Sequence, residues 1–266
     1  MRTLELTTKD GMQIRAFYFP SAKGKEAIPV VLMHEWQGQA SPYQGLVSAL
    51  WDLGCAVIVP EFRGHGGSRT QAGGRELDVS RMGKGDVMAM ITGDLEAVKK
   101  FLVVENNEQR LNLNALTLIG IREGAILASH WAVADLNFPS LGTVKQGQDV
   151  KAMVLISPTK GIRRIRGISL DETLNDRLFV QLPFLIIVGD SSSQAADTDR
   201  FSQKLESLKK RATRGEPDNI QYERLNTPLD GPALVNDVPG VIDRVRDFVE
   251  QRMVARSGAF PWTDRP

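Results

Sequence analysis

The chain has 266 residues, a formal net charge of +1 at pH 7 and a hydrophobic share of 42%. That length and apolar content suit one large α/β domain with a sizeable core, and the near-balanced charge supplies no overall field for nucleic acid or an anionic membrane. A single cysteine, Cys55, excludes an internal disulfide framework or a cysteine-based zinc site; no apolar run reaches the ~20 residues of a membrane span; and the opening stretch lacks a signal peptide's apolar core, so the default compartment is the cytoplasm, with export after signal removal left open.

Residues 4–7 and 12–19 are strand-like about an Asp10-Gly11 turn signal. Residues 29–34 form a continuous apolar run, as in a strand buried on both faces, ending in His34-Glu35-Trp36-Gln37-Gly38. Residues 43–53 place Leu46, Val47, Leu50 and Leu53 on one helical face and stop at Gly54. The next buried strand, 55–60, runs into a glycine-rich turn over 61–68, and a polar, glycine-containing loop spans 71–85. A long helix is predicted over 86–104, with Val87, Ile91, Leu95, Val98 and Leu102 at helical spacing. Residues 116–128 read as strand, turn and helix. Further strands are predicted at 152–158, 184–190 and 220–225, and helices at 197–211 and 238–254. Residues 159–178 are basic and irregular, and the tail 258–266 is expected to be loosely held. Strands alternating with helices after an opening hairpin predict one mostly parallel sheet of about eight strands, covered on both faces, in a single domain over 1–266.

Gly120 and Gly124 have the spacing of G-x-S-x-G, the turn that holds a nucleophile in a strained conformation between two small residues. The middle residue here is Arg122. This turn occurs in order with three other segments: VVLMHE at 30–35, PEFRGHGGS at 60–68 (close to D-x-R-G-x-G-x-S) and LIIVGD at 185–190. Together they resemble the α/β-hydrolase superfamily, especially its small dienelactone-hydrolase and serine-aminopeptidase-like members, over roughly residues 4–253.

The resemblance implies an α/β-hydrolase fold without a large cap, and a crevice at the carboxyl ends of the strands. It also implies a triad of nucleophile, acid and histidine. Position by position, the nucleophile's place holds Arg122, whose guanidinium stays protonated. Asp190 stands at or beside the acid, Asp230-Gly231 occupies the place of His-Gly, and no histidine follows His130. The oxyanion donors fall at the N–H of Glu123 and in the loop near Glu35 and Trp36, where added carboxylates repel a developing oxyanion. The resemblance thus points to a degenerate, non-catalytic member needing no cofactor. The alternative is an esterase- or peptidase-like hydrolase in which His34, His65, Glu35 or Asp190 activates water. A third reading is a partner-binding module, with protein partner and oligomeric state left open.

Two readings of Arg122 stand: a site for a small anionic ligand at a helix N-terminus, or an internal ion pair with Asp190, Asp230 or Glu35. His34 and His65 are expected at strand ends facing the same crevice. With Glu35 they could supply zinc ligands, but the spacing matches no zinc motif and no metal is expected. His130 is expected to be packed or at the surface. Ser157 lies near the crevice without an evident base, Ser191–Ser193 reads as a loop leading to a helix cap, and Arg163, Arg164 and Arg166 form a solvated basic segment or a phosphate site.

Overall fold

The computed structural model describes residues 1–71, 74, 76–139 and 145–265. Eight strands form one sheet in the order β1-β2-β4-β3-β5-β6-β7-β8. The hairpin β1 (Arg2–Thr7) and β2 (Gln13–Phe19) lies antiparallel at one edge. The parallel strands are β3 (Pro29–Met33), β4 (Ala56–Pro60), β5 (Leu116–Ile121), β6 (Val150–Ile156), β7 (Phe184–Gly189) and β8 (Ile220–Leu225). All residues of β3, β4, β5 and β7 are buried, which is why these strands are near-continuous apolar runs, interrupted by Thr117 in β5, rather than alternating ones.

Successive side chains point to opposite faces, so one set of strands feeds two cores. On one face Val31, Leu118 and Leu155 meet α3 (Leu95–Asn107), α4 (Gly124–Leu136) and α6 (Ala195–Thr213) through Leu102, Trp131 and Leu205. On the other, Val30, Ile119 and Val154 meet α1 (Gln44–Asp52), α7 (Gly231–Asp237) and α8 (Val241–Arg252) through Leu46, Leu234 and Phe248.

Several local expectations are corrected. The helix predicted over 86–104 begins earlier, at α2 (Lys84–Ala89), and joins α3 through a π-helical segment, Met90–Asp94. The widened turn ends at Asp94, whose buried carboxylate receives the backbone N–H and the guanidinium of Arg63. The helix predicted over 238–254 starts only after Gly240, which sits at φ 80°; α7 precedes it. The irregular stretch 159–178 contains a 3-10 turn, Leu170–Asn175, and leads into α5 (Arg177–Gln181). Of the predicted loop 71–85, residues 72, 73 and 75 lie outside the described residues.

The described part of the tail is not loose. Asn112 donates to Phe260 O at 2.6 Å and Asn106 to Thr263 O at 3.0 Å. Arg265 is 4% exposed, and its guanidinium donates to Lys145 O, Asn114 and the buried Asp149, which Lys99 also approaches at 3.3 Å. Burying Asp149 requires cations beside it, and the tail supplies one. Among the described residues no helix is long and apolar enough to cross a membrane.

Candidate functional site

β3 and β5 are neighbours, but the chain proceeds from β3 to β4 on one side and from β5 to β6 on the other. The crevice beyond their carboxyl ends is therefore the topological switch point of the sheet, where open α/β sheets bind ligands. Arg122 stands there, between β5 and α4, at φ 51°. The flanking glycines are dictated by contact: a Cβ on Gly120 would lie 2.4 Å from Ala125 Cα, and one on Gly124 would lie 2.2 Å from Met33 O. The turn is thus a packing requirement of strand against helix, independent of which side chain it displays.

The Arg122 guanidinium reaches Asp230, with Nη1 2.5 Å from Oδ1; the side chains are 28% and 23% exposed. Asp230 arrives from the loop after β8, and Gly231 behind it sits at φ 54°, where a Cβ would come within 2.7 Å of Arg122 Cδ. The Gly231 N–H donates to Ser157 Oγ at 3.1 Å. Ser157, fully buried at the end of β6, is itself held at φ 47°. Asp190, a second candidate partner, is not brought to Arg122: its Oδ1 accepts the Thr227 N–H at 3.3 Å and the Ser191 hydroxyl at 2.9 Å.

Of the two glutamates, Glu123 turns toward the loop after β3. Its Oε2 accepts the Trp36 N–H at 3.1 Å and lies 3.8 Å from Arg122 Nε. Glu35 instead turns to the Tyr43 hydroxyl, a partner the sequence reading did not consider. Burial first, and the Glu35 carboxylate second, push that phenol above its ordinary range. One carboxylate therefore occupies the amide donor of the loop after β3, and the other serves α1.

His34 and His65 do converge, with ring centroids 5.3 Å apart, and Trp36 stands edge-on to His65 at 5.0 Å. They are 1% and 3% exposed. Each Nδ1 faces a carbonyl, Glu35 O at 2.7 Å and Arg63 O at 2.9 Å, so each Nδ1 carries the proton and each Nε2 is a bare lone pair. Neither Nε2 has a partner among the described residues. Burial pulls both imidazoles down to about 4, with the neighbouring His34 adding to the effect on His65. They are neutral at pH 7. The space bounded by His34, Trp36, His65, Glu123 and Leu127 leaves no room for a water molecule. Among the described residues no group of three or more His, Cys, Asp or Glu side chains is placed to hold a metal.

The turn 61–68 is architectural. Glu61 is 5% exposed and accepts the N–H groups of Ala40 and Gly67, tying the loop after β3 to the loop after β4. Arg63 bridges Asp10 at 2.7 Å and Asp94 at 2.6 Å. Ser68 donates to Glu61 O and accepts the Arg15 N–H. Of the remaining candidates, His130 Nε2 meets Ser169 O at 2.9 Å, Arg163, Arg164 and Arg166 are exposed, and no Ser191–Ser193 side chain caps α6, whose N-cap is Gln194.

No protein-family description and no curated protein matches the chain. Solved structures do match. The esterase Pf2001 of Pyrococcus furiosus superposes with a TM-score of 0.66 at 16% identity, covering 95% of this chain and 91% of its own. An esterase of a Rhodococcus species gives 0.63 at 16% identity over 95% and 100%. Est1E of Butyrivibrio proteoclasticus, solved with ferulic acid bound, gives 0.62 at 14% identity over 95% and 99%. The chain has the α/β-hydrolase fold. In that frame Arg122 stands on the turn between β5 and α4, and Asp230 on the loop following β8.

Proposed function

We propose that this single-domain protein is a non-hydrolytic member of the α/β-hydrolase superfamily, in which the place of the triad is closed by the Arg122–Asp230 ion pair. The carrying observation is that pair, with its Nη1–Oδ1 distance of 2.5 Å. A guanidinium cannot attack a carbonyl, and an aspartate paired to it is not a general base toward a serine. The Glu123 carboxylate on the Trp36 N–H adds a negative charge where acyl transfer needs a donor. In this reading the crevice holds its own anions, and a small anionic ligand would have to displace Asp230 to reach Arg122.

A second reading, a hydrolase with an unorthodox site, draws on the esterase neighbours and on the two neutral imidazole lone pairs. The two readings separate in one assay on a nitrophenyl butyrate, with wild type, His34→Asn/His65→Asn and the triple variant Arg122→Ser/Asp230→His/Glu123→Ala purified side by side. The proposal expects wild type at the buffer rate and the triple variant above it. Wild-type turnover abolished by the histidine substitutions would establish the second reading and remove the first.

A further inference from the structure

On the other side of the Glu61 bridge lies a cavity of about 510 Å³ that the reading of the Arg122 crevice does not use. It lies between α1 and β2, beside β4. Phe17 and Phe19, on the face of β2 turned toward α1, are left half-buried, and with Val47 and Val59 they line an apolar interior. Its volume falls within the ~300–1,000 Å³ usual for small-molecule sites.

The polar side of the cavity is cationic. Arg15 lies against the backbone of Gly67, where a Cβ would come 2.3 Å from its Cζ, so this glycine makes the berth for the guanidinium. The Arg15 pair with Glu5 engages Nε at 3.3 Å and is about half exposed on both sides; such a pair is weak. Arg69 stands exposed on the same wall. The acid in the lining, Glu61, is engaged by two backbone donors, Ala40 N–H at 3.3 Å and Gly67 N–H at 2.7 Å, and the two guanidinium groups outnumber it. A guanidinium fork over an aromatic and aliphatic interior is complementary to one kind of molecule: a carboxylate head with an apolar body.

We propose that this cavity binds a medium-chain or aryl-alkyl monocarboxylate, its head on Arg15 and Arg69 and its body against Phe17, Phe19, Val47 and Val59. The test is calorimetric titration of the full chain with decanoate and, in parallel, decylamine. The variants are Arg15→Gln, which removes the charge, and Gln44→Trp, which fills the mouth from the exposed face of α1. The expected result is saturable 1:1 binding of decanoate, with decylamine at least about tenfold weaker. Arg15→Gln should weaken decanoate by about tenfold, and Gln44→Trp should abolish its binding. Arg69→Gln replaces Arg15→Gln if the latter does not melt as wild type does. Absence of saturable decanoate binding, equal binding of decylamine, or binding untouched by Gln44→Trp overturns the assignment. So does a decanoate affinity that survives loss of the guanidinium.

Discussion

Two neutral imidazoles buried side by side make this protein sensitive to mild acid, by an amount that follows from their surroundings. In the unfolded chain each histidine takes up a proton near pH 6.5, whereas in the fold His34 and His65 do so only near 4. The folded value is depressed, so the unfolded state binds more protons throughout this interval. The stability from burying the neutral rings is therefore complete above pH 6.5 and is lost as pH falls toward 4. A displacement of this size corresponds to about 3 kcal/mol per ring. At pH 5 the pair together costs the fold about 4 kcal/mol relative to pH 8, a large share of the ~5–15 kcal/mol typical of a domain. Asp10 does not share the window: Arg63 holds its carboxyl at about 2, so its contribution persists down to its ordinary value of 3.8 and fades only below it. Urea unfolding of wild type and of His34→Asn/His65→Asn, between about pH 8 and 5, isolates the histidines. Asparagine retains a donor toward Glu35 O and Arg63 O without a titration in this range. Wild type should lose about 4 kcal/mol over the interval and the double variant much less. Parallel losses in the two proteins, or imidazole titrations near 6.5 by NMR, would refute the argument.

Three further substitutions probe the packing of the same site. Gly124→Ala places a methyl 2.2 Å from Met33 O, a backbone atom that cannot rotate away; a destabilisation of about 3 kcal/mol is expected in urea unfolding, and an unchanged midpoint would show that the elbow has slack. Asp230→Ala leaves a guanidinium that is only 28% exposed with Glu123, at 3.8 Å, as its remaining acid; it should cost about 1–2 kcal/mol, between the values for surface and fully buried pairs, and Arg122→Met added to it should recover part of the loss. If the double variant is less stable than Asp230→Ala, the pair is not the reason. Arg265→Ala removes one cation from the fully buried Asp149 while Lys99 and Lys145 remain at 3.3 Å. A loss of about 2 kcal/mol is expected, together with faster proteolysis of the tail; resistance equal to wild type would mean that the neighbouring asparagines suffice.

The sheet was legible because its strands are buried on both faces and so appear as uninterrupted apolar runs such as Val30–Met33 and Leu185–Val188. The π segment was not, because Ile91 and Leu95 keep the helical spacing through it, and the Arg63 contact that meets its last residue, Asp94, is long-range. The partner of Arg122 was narrowed to three acids by sequence and to one by geometry. Asp190 is spent on the Thr227 N–H, Glu35 on Tyr43, and only Asp230 is followed by a glycine in a left-handed conformation that lets Arg122 lie over it. Which glutamate would occupy the Trp36 N–H depends on side-chain direction, which a linear motif does not carry. The docking of Arg265 was invisible for a different reason: Asp149 is 116 residues away, and no local pattern announces that a buried acid will draw in the tail. The sequence places Ser157 near the crevice from its position at a strand end, but its positive φ has no sequence signature.

On the proposed reading, the same geometry explains why Arg122→Ser alone is not expected to confer hydrolysis. The elbow's backbone is fixed by Gly120 and Gly124 against Ala125 and Met33, so any residue at 122 inherits the left-handed conformation and its cost of order 1 kcal/mol. Arg122 offsets that cost with a partner that a serine would lack. Arg122→Ser would leave Asp230 unpaired beside it, no imidazole beyond β8 to accept a proton, and Glu123 still on the Trp36 N–H. The three changes act on one reaction coordinate: a nucleophile without its base is not activated, and an activated nucleophile facing a carboxylate develops charge against charge. Their effects on rate are therefore expected to be strongly non-additive, with Arg122→Ser and Arg122→Ser/Asp230→His both near the buffer rate and activity emerging only when Glu123→Ala is added. Activity already present in Arg122→Ser alone would mean that a base other than the residue at 230 reaches the elbow, and His34 and His65, with their unpartnered Nε2 atoms, are the groups to which it would point.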